Sequence, residues 1–194
     1  MALIRAGASE VFGVEPSLER VNWGREVIAR AALSAKITLL HIPDTRALPF
    51  ENSEFAFILV NGVLEYISQP RDPYIQELWR VLIPEGHLMI SETPNKHFPK
   101  EVHTTSLWFN HWLPRRAAHR RAIRGGRFDV RRPDWDSSGW RGVGYFELVR
   151  PITGYRLVPE QSRLRHRLFS MVGLPASLVD PGPIWILQKA DAGA

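Results

Sequence analysis

The chain has 194 residues, 44% of them apolar and 23% charged, which suits one globular domain with a full hydrophobic core and excludes a disordered or fibrous protein. It contains no cysteine, so a disulfide framework, a thiolate nucleophile and a cysteine-ligated zinc or iron-sulfur site are excluded. The formal charge of +5 is carried by arginine, since the lysines are Lys36, Lys96, Lys100 and Lys189 alone.

Residues 1–8 read as the end of a helix stopped near Gly7. They lack the uninterrupted apolar core and small-residue cleavage site of a signal peptide, and no stretch of the chain approaches the ~20 apolar residues that cross a bilayer. A cytoplasmic protein is the expectation. Val11 to Val14 is a short strand closed by Glu15-Pro16-Ser17, and Ser17 can cap a helix over Leu18 to Leu33. Ile37 to Ile42 is a second strand, ended by Pro43-Asp44. Phe55 to Val60 is so continuously apolar that it reads as a parallel strand covered on both faces. A helix follows from Pro73 to Leu82, breaks at Pro84-Glu85-Gly86 and leads into a strand at His87 to Ser91.

Strand and helix alternate at the spacing of a doubly wound α/β sheet. Beyond Asn95 the pattern loosens into a helical, aromatic insertion that carries Trp108 and Trp112, with eight arginines between Arg115 and Arg132. Turn formers fill Pro133 to Gly144, and a helix over Tyr145 to Ile152 precedes a strand at Tyr155 to Pro159. A further helix spans Leu164 to Val172, and a last strand, Ile184 to Gln188, pairs with Tyr155 to Pro159 as an edge hairpin.

Glu15 is the first candidate site residue. A carboxylate at the carboxyl end of a parallel strand stands in the ligand crevice and can accept hydrogen bonds from two ribose hydroxyls; a plain surface turn residue is the competing reading. His97, His103 and His111 have neither a carboxylate motif nor a compact spacing, so no metal site is expected. There is no Gly-x-Ser-x-Gly elbow and no Gly-x-x-x-x-Gly-Lys-Ser/Thr loop. Gly139 to Gly144 is glycine-rich but follows turns, and it is read as part of a substrate lid to which Trp140 and Tyr145 lend flat apolar area.

Asp44 to Phe55, with Leu48-Pro49-Phe50 inside it, then Asn61-Gly62-Val63-Leu64-Glu65-Tyr66, then Arg80-Val81-Leu82-Ile83-Pro84-Glu85-Gly86, stand in this order along the chain. Together they resemble consecutive motifs of the class I S-adenosylmethionine-dependent methyltransferases of the small-molecule type, related to the quinone-biosynthesis enzymes. The likeness covers residues 1–95 firmly and the rest loosely. It implies a Rossmann-like methyltransferase sheet in an α/β fold, with the helical insertion and the C-terminal antiparallel edge hairpin described above. It also implies one partial domain over residues 1–194: a cofactor-side core at 1–95, an insertion or substrate lid at 96–150 and a C-terminal edge at 151–194.

By this resemblance the cofactor is S-adenosylmethionine and the partner a small-molecule methyl acceptor. Glu15 would bind the cofactor ribose, Asp44 the adenine amino group, and Ala47 and Leu48 the wall beside the ring, with Asn61 and Leu64 near the cofactor and the substrate opening. His103 falls where the family places substrate-contacting loops, and an imidazole suits acceptance of a proton from a substrate hydroxyl. His111 would belong to an aromatic cap over the site.

The chain departs from the family at Tyr66, where histidine is common, at Ala56, where aspartate is common, and at Glu85, where glycine is common. It also lacks the family's Asp/Glu-x-Gly-x-Gly-x-Gly loop. That unit would add roughly 20 to 30 residues ahead of Met1, judged from the size of a βαβ element. The fold is therefore expected to be truncated at its N-terminus, without a strand between Val11 to Val14 and Phe55 to Val60. Backbone groups left unpaired there cost ~1 to 3 kcal/mol each, so the flanking strands close up, another chain in an oligomer completes the sheet, or the start is misplaced. The chain alone is expected to bind S-adenosylmethionine weakly and to turn over little. Two other functions compete: a noncatalytic remnant that binds a partner chain, and, less favoured, a nucleic-acid-binding module built on Arg115 to Arg132.

Overall fold

The computed structural model describes residues 1–129, 134–158 and 180–191. The chain divides into two compact units, Met1–Pro49 and Phe50–Ala194.

In the first unit a short helix α1 (Ala2–Arg5) precedes β1 (Val11–Glu15), α2 (Leu18–Arg30) and β2 (Ile37–His41). β1 and β2 pair in parallel from Val11 opposite Ile37 to Glu15 opposite His41. α2 begins where expected, because the Ser17 side chain accepts the Arg20 N–H at 3.4 Å as an N-cap. The helix packs closely on this pair through one side chain. A Cβ at Gly13 would stand 2.4 Å from one Leu39 methyl, and a Cβ at Gly24 would stand 2.6 Å from the other. Leu39 thus occupies the space that two glycines leave between β1 and α2.

The second unit contains β3 (Phe55–Asn61), α3 (Asp72–Val81), β4 (Leu82–Ser91), α4 (Arg115–Arg124), α5 (Tyr145–Val149), β5 (Tyr155–Val158) and β6 (Trp185–Lys189). Its sheet has the order β3-β4-β6-β5. β3 and β4 are parallel, while β6 runs antiparallel to both β4 and β5. The expected C-terminal edge pairing is therefore present. The helix expected at Leu164 to Val172, and Pro159 of the expected strand, lie outside the described residues.

The main core is built by alternation. Ile58 and Val60 of β3 stand opposite Leu88 and Ile90 of β4, and those stand opposite Leu187 and Trp185 of β6. Leu64, Ile75, Leu82 and Leu148 close the same cluster from the covering elements. A second, smaller core lies under α4, where Ala118 and Ala122 meet Phe128, Trp135 and Trp140, with the two indoles stacked at 4.9 Å. The outward row of α4, Arg116, Arg120 and Arg124, is exposed.

Three expectations are revised. Phe57 and Leu59 are each 41% exposed, so among the described residues of the second unit β3 is covered on one face and not on both. Its pairing with β4 fills one edge, and among the described residues no strand fills the other; the same holds for β1 beside β2. The break at Pro84-Glu85-Gly86 is a bulge within one long strand, since Phe55 pairs with Leu82 and Phe57 already with His87. Trp140 and Tyr145 are 4% and 8% exposed and belong to the cores, so the glycine-rich stretch offers no flat aromatic lid. Gly142 is instead a close-packing point: at φ 66° its Cβ would lie 2.3 Å from the Pro94 carbonyl oxygen, beside the bridge that joins Asn95 to Val143.

Candidate functional site

Ligands of open parallel sheets collect at the carboxyl ends of the strands. In the second unit β3 ends at Asn61 and β4 at Ser91, and the Ser91 hydroxyl donates to Asn61 Oδ1 at 2.6 Å. The Asn61 amide donates in turn to Glu92 Oε2 at 3.2 Å. The chain then makes a single 3-10 turn, Leu64–Tyr66, which separates its side chains by environment. Leu64 enters the core at 1% exposure, and Glu65 is buried at 2%, whereas Tyr66 is 46% exposed. Leu64 is therefore a core residue, and its carbonyl already accepts the Ile67 N–H at 3.2 Å.

Glu65 and Tyr66 meet residues from far along the chain. The Thr93 hydroxyl donates to Glu65 Oε2 at 3.2 Å, and burial, outweighing that bond and the nearby His103 and Arg71, raises the Glu65 carboxyl above its ordinary value. The Tyr66 hydroxyl lies 2.9 Å from His103 Nε2, with the two rings edge to face. Gly139, at φ 73°, fits between these groups: its Cβ would be 2.9 Å from the His103 ring and 3.0 Å from Glu65 Cγ. A buried acid, a phenol and an exposed imidazole thus share one end of the sheet.

The loop carrying His103 is held by one carboxylate. Glu101, 4% exposed, accepts the backbone N–H groups of His103 at 2.6 Å and Thr104 at 2.7 Å through Oε1. Its Oε2 accepts the Thr105 hydroxyl at 2.6 Å, the Thr105 N–H and the Ser106 N–H at 3.2 Å. Below the turn, Arg71 is equally committed. Its Nε donates to the carbonyls of Leu64 and Ile67 at 2.7 and 3.0 Å, and its Nη1 to Glu147 Oε1 at 2.6 Å. Sequence reading passed over Glu65, Glu101 and Arg71. Glu65 lies within the Asn61 to Tyr66 stretch and Glu101 two residues before His103, but the roles of Glu101 and Arg71 rest on bonds that form on folding. His111, expected in an aromatic cap, is buried with its ring against Trp112, and burial lowers its pKa below the usual histidine range.

The first unit carries the predicted adenosine-side residues. Glu15 ends β1 half-buried; its Oε1 accepts the Ser17 N–H at 2.8 Å, and its Oε2 is 3.9 Å from Arg20. Lone pairs remain on both oxygens, so the carboxylate fits a ribose diol. Asp44 is exposed and held by Arg46, which reaches Oδ1 at 2.9 Å through Nε and Oδ2 at 2.6 Å through Nη2. These bonds lower its pKa to about 2, and an adenine amino group would have to displace part of them. Ala47 is exposed and Leu48 half-buried in the turn after β2.

Residues 1–90 match the model of a methyltransferase domain. The solved structure of the [4+2]-cyclase SpnF aligns with 97% of this chain and 69% of its own, at 17% identity and a TM-score of 0.58. A SAM-dependent methyltransferase from Methanosarcina mazei aligns with 98% of this chain and 87% of its own, at 16% identity and a TM-score of 0.52. The fold is that of the class I S-adenosylmethionine-dependent methyltransferases. The cofactor that goes with this methyltransferase fold is S-adenosylmethionine. The chain spans 44% of the length of a SAM dependent methyltransferase from Aquifex aeolicus, with which it shares 23% identity over 45% of its own residues at a TM-score of 0.40. No curated protein matches this methyltransferase-fold chain. Among the described residues no group of histidines and carboxylates could hold a metal ion, and no helix is long and apolar enough to cross a membrane.

Proposed function

We propose that the protein takes part in S-adenosylmethionine-dependent methyl transfer to a small-molecule acceptor. The observation that supports this reading is the grouping of Tyr66, His103 and buried Glu65 at the carboxyl end of the β3 and β4 pair, in a chain with the methyltransferase fold. The bound cofactor would supply an electrophilic methyl group on a sulfonium, so the protein's tasks are alignment, exclusion of water and handling of one proton. Glu15 holds the ribose hydroxyls, Asp44, Ala47 and Leu48 receive the adenine, and Asn61 stands at the end of β3. His103 takes the proton from the acceptor, and Tyr66, 2.9 Å away, orients the imidazole.

The residues of this chain account for recognition of the adenosine half. The test is calorimetric titration of the chain with S-adenosylhomocysteine and with adenosine, for the wild type and Glu15→Gln. Saturable binding weakened about tenfold or more by the substitution is expected, since a bond between a carboxylate and a hydroxyl is charge-assisted. Absence of binding, or affinity indifferent to Glu15, would overturn the reading.

A further inference from the structure

Next to the turn, on the side of α5, lies a cavity of about 500 Å3, within the size range of small-molecule sites. Its floor is an ion chain. Glu147 Oε1 accepts from Arg71 at 2.6 Å and from the Gln69 amide at 3.2 Å, and its Oε2 accepts from Lys96 at 3.0 Å. Burial would raise the Glu147 carboxyl, but Arg71 and Lys96 outweigh it and hold it below the ordinary value. The carboxylate on the cavity wall is thus doubly compensated, and cationic donors are left over.

Lys96 directs one bond to Glu147 and carries three N–H groups. Arg150 places Nη2 between the two Asp72 oxygens at 2.7 and 2.8 Å, while its Nε and Nη1 have no partner among the described residues. Counting Asp72 against Arg150 and Glu147 against Arg71, Lys96 leaves the cavity net positive. Phe146, 57% exposed, and Pro70 supply an apolar wall. His97 keeps a buried Nε2 without a partner, beside Gly144, where a Cβ would stand only 2.4 Å from that nitrogen. A neutral apolar ligand would leave the free Lys96 and Arg150 donors unanswered, at a cost of ~1 to 3 kcal/mol for each one buried.

We infer that this cavity binds a small organic or inorganic oxyanion, a carboxylate or a phosphate, between Lys96 and Arg150, with Phe146 covering any attached ring. The inference stands on the second unit alone and is independent of methyl transfer. Arg71 joins the cavity floor to the carbonyls of the Leu64–Tyr66 turn, so an occupant that draws on Lys96 or Glu147 acts on the same network that shapes the proposed acceptor end.

The test is calorimetric titration of the chain at low ionic strength with benzoate and, separately, with inorganic phosphate. Saturable one-to-one binding of at least one anion is expected, with a dissociation constant of about 1 mM or below. Arg150→Gln and Lys96→Gln should each weaken it about tenfold, the loss expected of a charge-assisted hydrogen bond. Phe146→Ser should weaken benzoate and spare phosphate. Arg150 projects from the surface with its side chain 66% exposed, so its replacement leaves the core intact. Arg116→Gln on α4 is the control for diffuse attraction to a basic surface. Absence of saturable binding of either anion, undiminished binding in Arg150→Gln, or equal weakening by Arg116→Gln would each overturn the inference.

Discussion

Tyr66 and His103 are 37 residues apart in the chain, yet the phenol oxygen and the imidazole Nε2 are 2.9 Å apart, and both residues are exposed. An imidazole fixed by a phenol at one nitrogen presents the other in a defined direction, as proton transfer in a methyl-transfer step requires. Under the proposed function, His103→Gln lowers kcat by about a hundredfold, the low end for general-base loss, with little change in cofactor affinity. Tyr66→Phe keeps the ring and removes the orienting hydroxyl, so it lowers kcat by about tenfold and moves the pH profile. A His103→Gln enzyme with unchanged turnover would remove His103 from the chemistry.

Glu101 decides where His103 stands. Its two oxygens accept the N–H groups of His103, Thr104, Thr105 and Ser106 and one hydroxyl, all within a single turn of chain. Glu101→Ala leaves these donors facing an apolar gap and is expected to cost about 2 to 4 kcal/mol, read as a lowered urea midpoint. Glu101→Gln recovers only part of this, since its amide nitrogen turns a donor toward donors. Equal stability of wild type and Glu101→Ala would show that solvent satisfies the loop equally well.

The strands and helices that position this end of the sheet were legible in the sequence because they rest on short-range signals: β-branched runs bounded by Pro and Gly, and Ser17 as a cap. Glu15 was legible for the same reason, as an acid closing a strand. Glu101 and Arg71 were not, because their partners are backbone groups and a carboxylate that folding delivers, Glu147 being 76 residues beyond Arg71. The reading of Phe55 to Val60 failed differently. Continuous apolarity predicts cover on two faces, but cover is a property of neighbours, and Phe57 and Leu59 have little of it here.

Glu65 gives a pH signature. Burial raises its pKa in the folded protein above 4.5, so its favourable contribution is complete below pH 4.5 and is lost as pH rises through the raised value. Glu147 has the opposite sign: its lowered pKa makes its contribution complete above 4.5 and lost on acidification below that. Half-buried His97 and buried His111, lowered from 6.5, add stability above pH 6.5 that is lost as pH falls. Because these slopes overlap, the informative measurement is the difference between urea-unfolding profiles of wild type and Glu65→Gln. The variant gains on the wild type as pH rises above 4.5; parallel profiles would mean that Glu65 ionises as freely folded as unfolded.

The bulge in β4 places Glu85 at φ 62°, the left-handed region, at the position where the resembling family has glycine. A residue with a Cβ costs about 1 to 2 kcal/mol in that conformation. Glu85 recovers some of this, since its Oε2 accepts the Gln188 amide at 2.9 Å across to β6, but both side chains are at the surface, where such a bond contributes about 0.5 to 1.5 kcal/mol. Gly86, the next residue, has no such latitude, because a Cβ there would lie 2.9 Å from the Ile83 carbonyl oxygen and from a Leu82 methyl. Glu85→Gly is therefore expected to be neutral or stabilising by up to about 1 kcal/mol, while Gly86→Ala is destabilising by at least that much. Thermal and urea unfolding of the two variants checks the pair. Destabilisation by Glu85→Gly beyond about 1 kcal/mol would show that the bond to Gln188, and with it the tie between β4 and β6, outweighs the backbone strain.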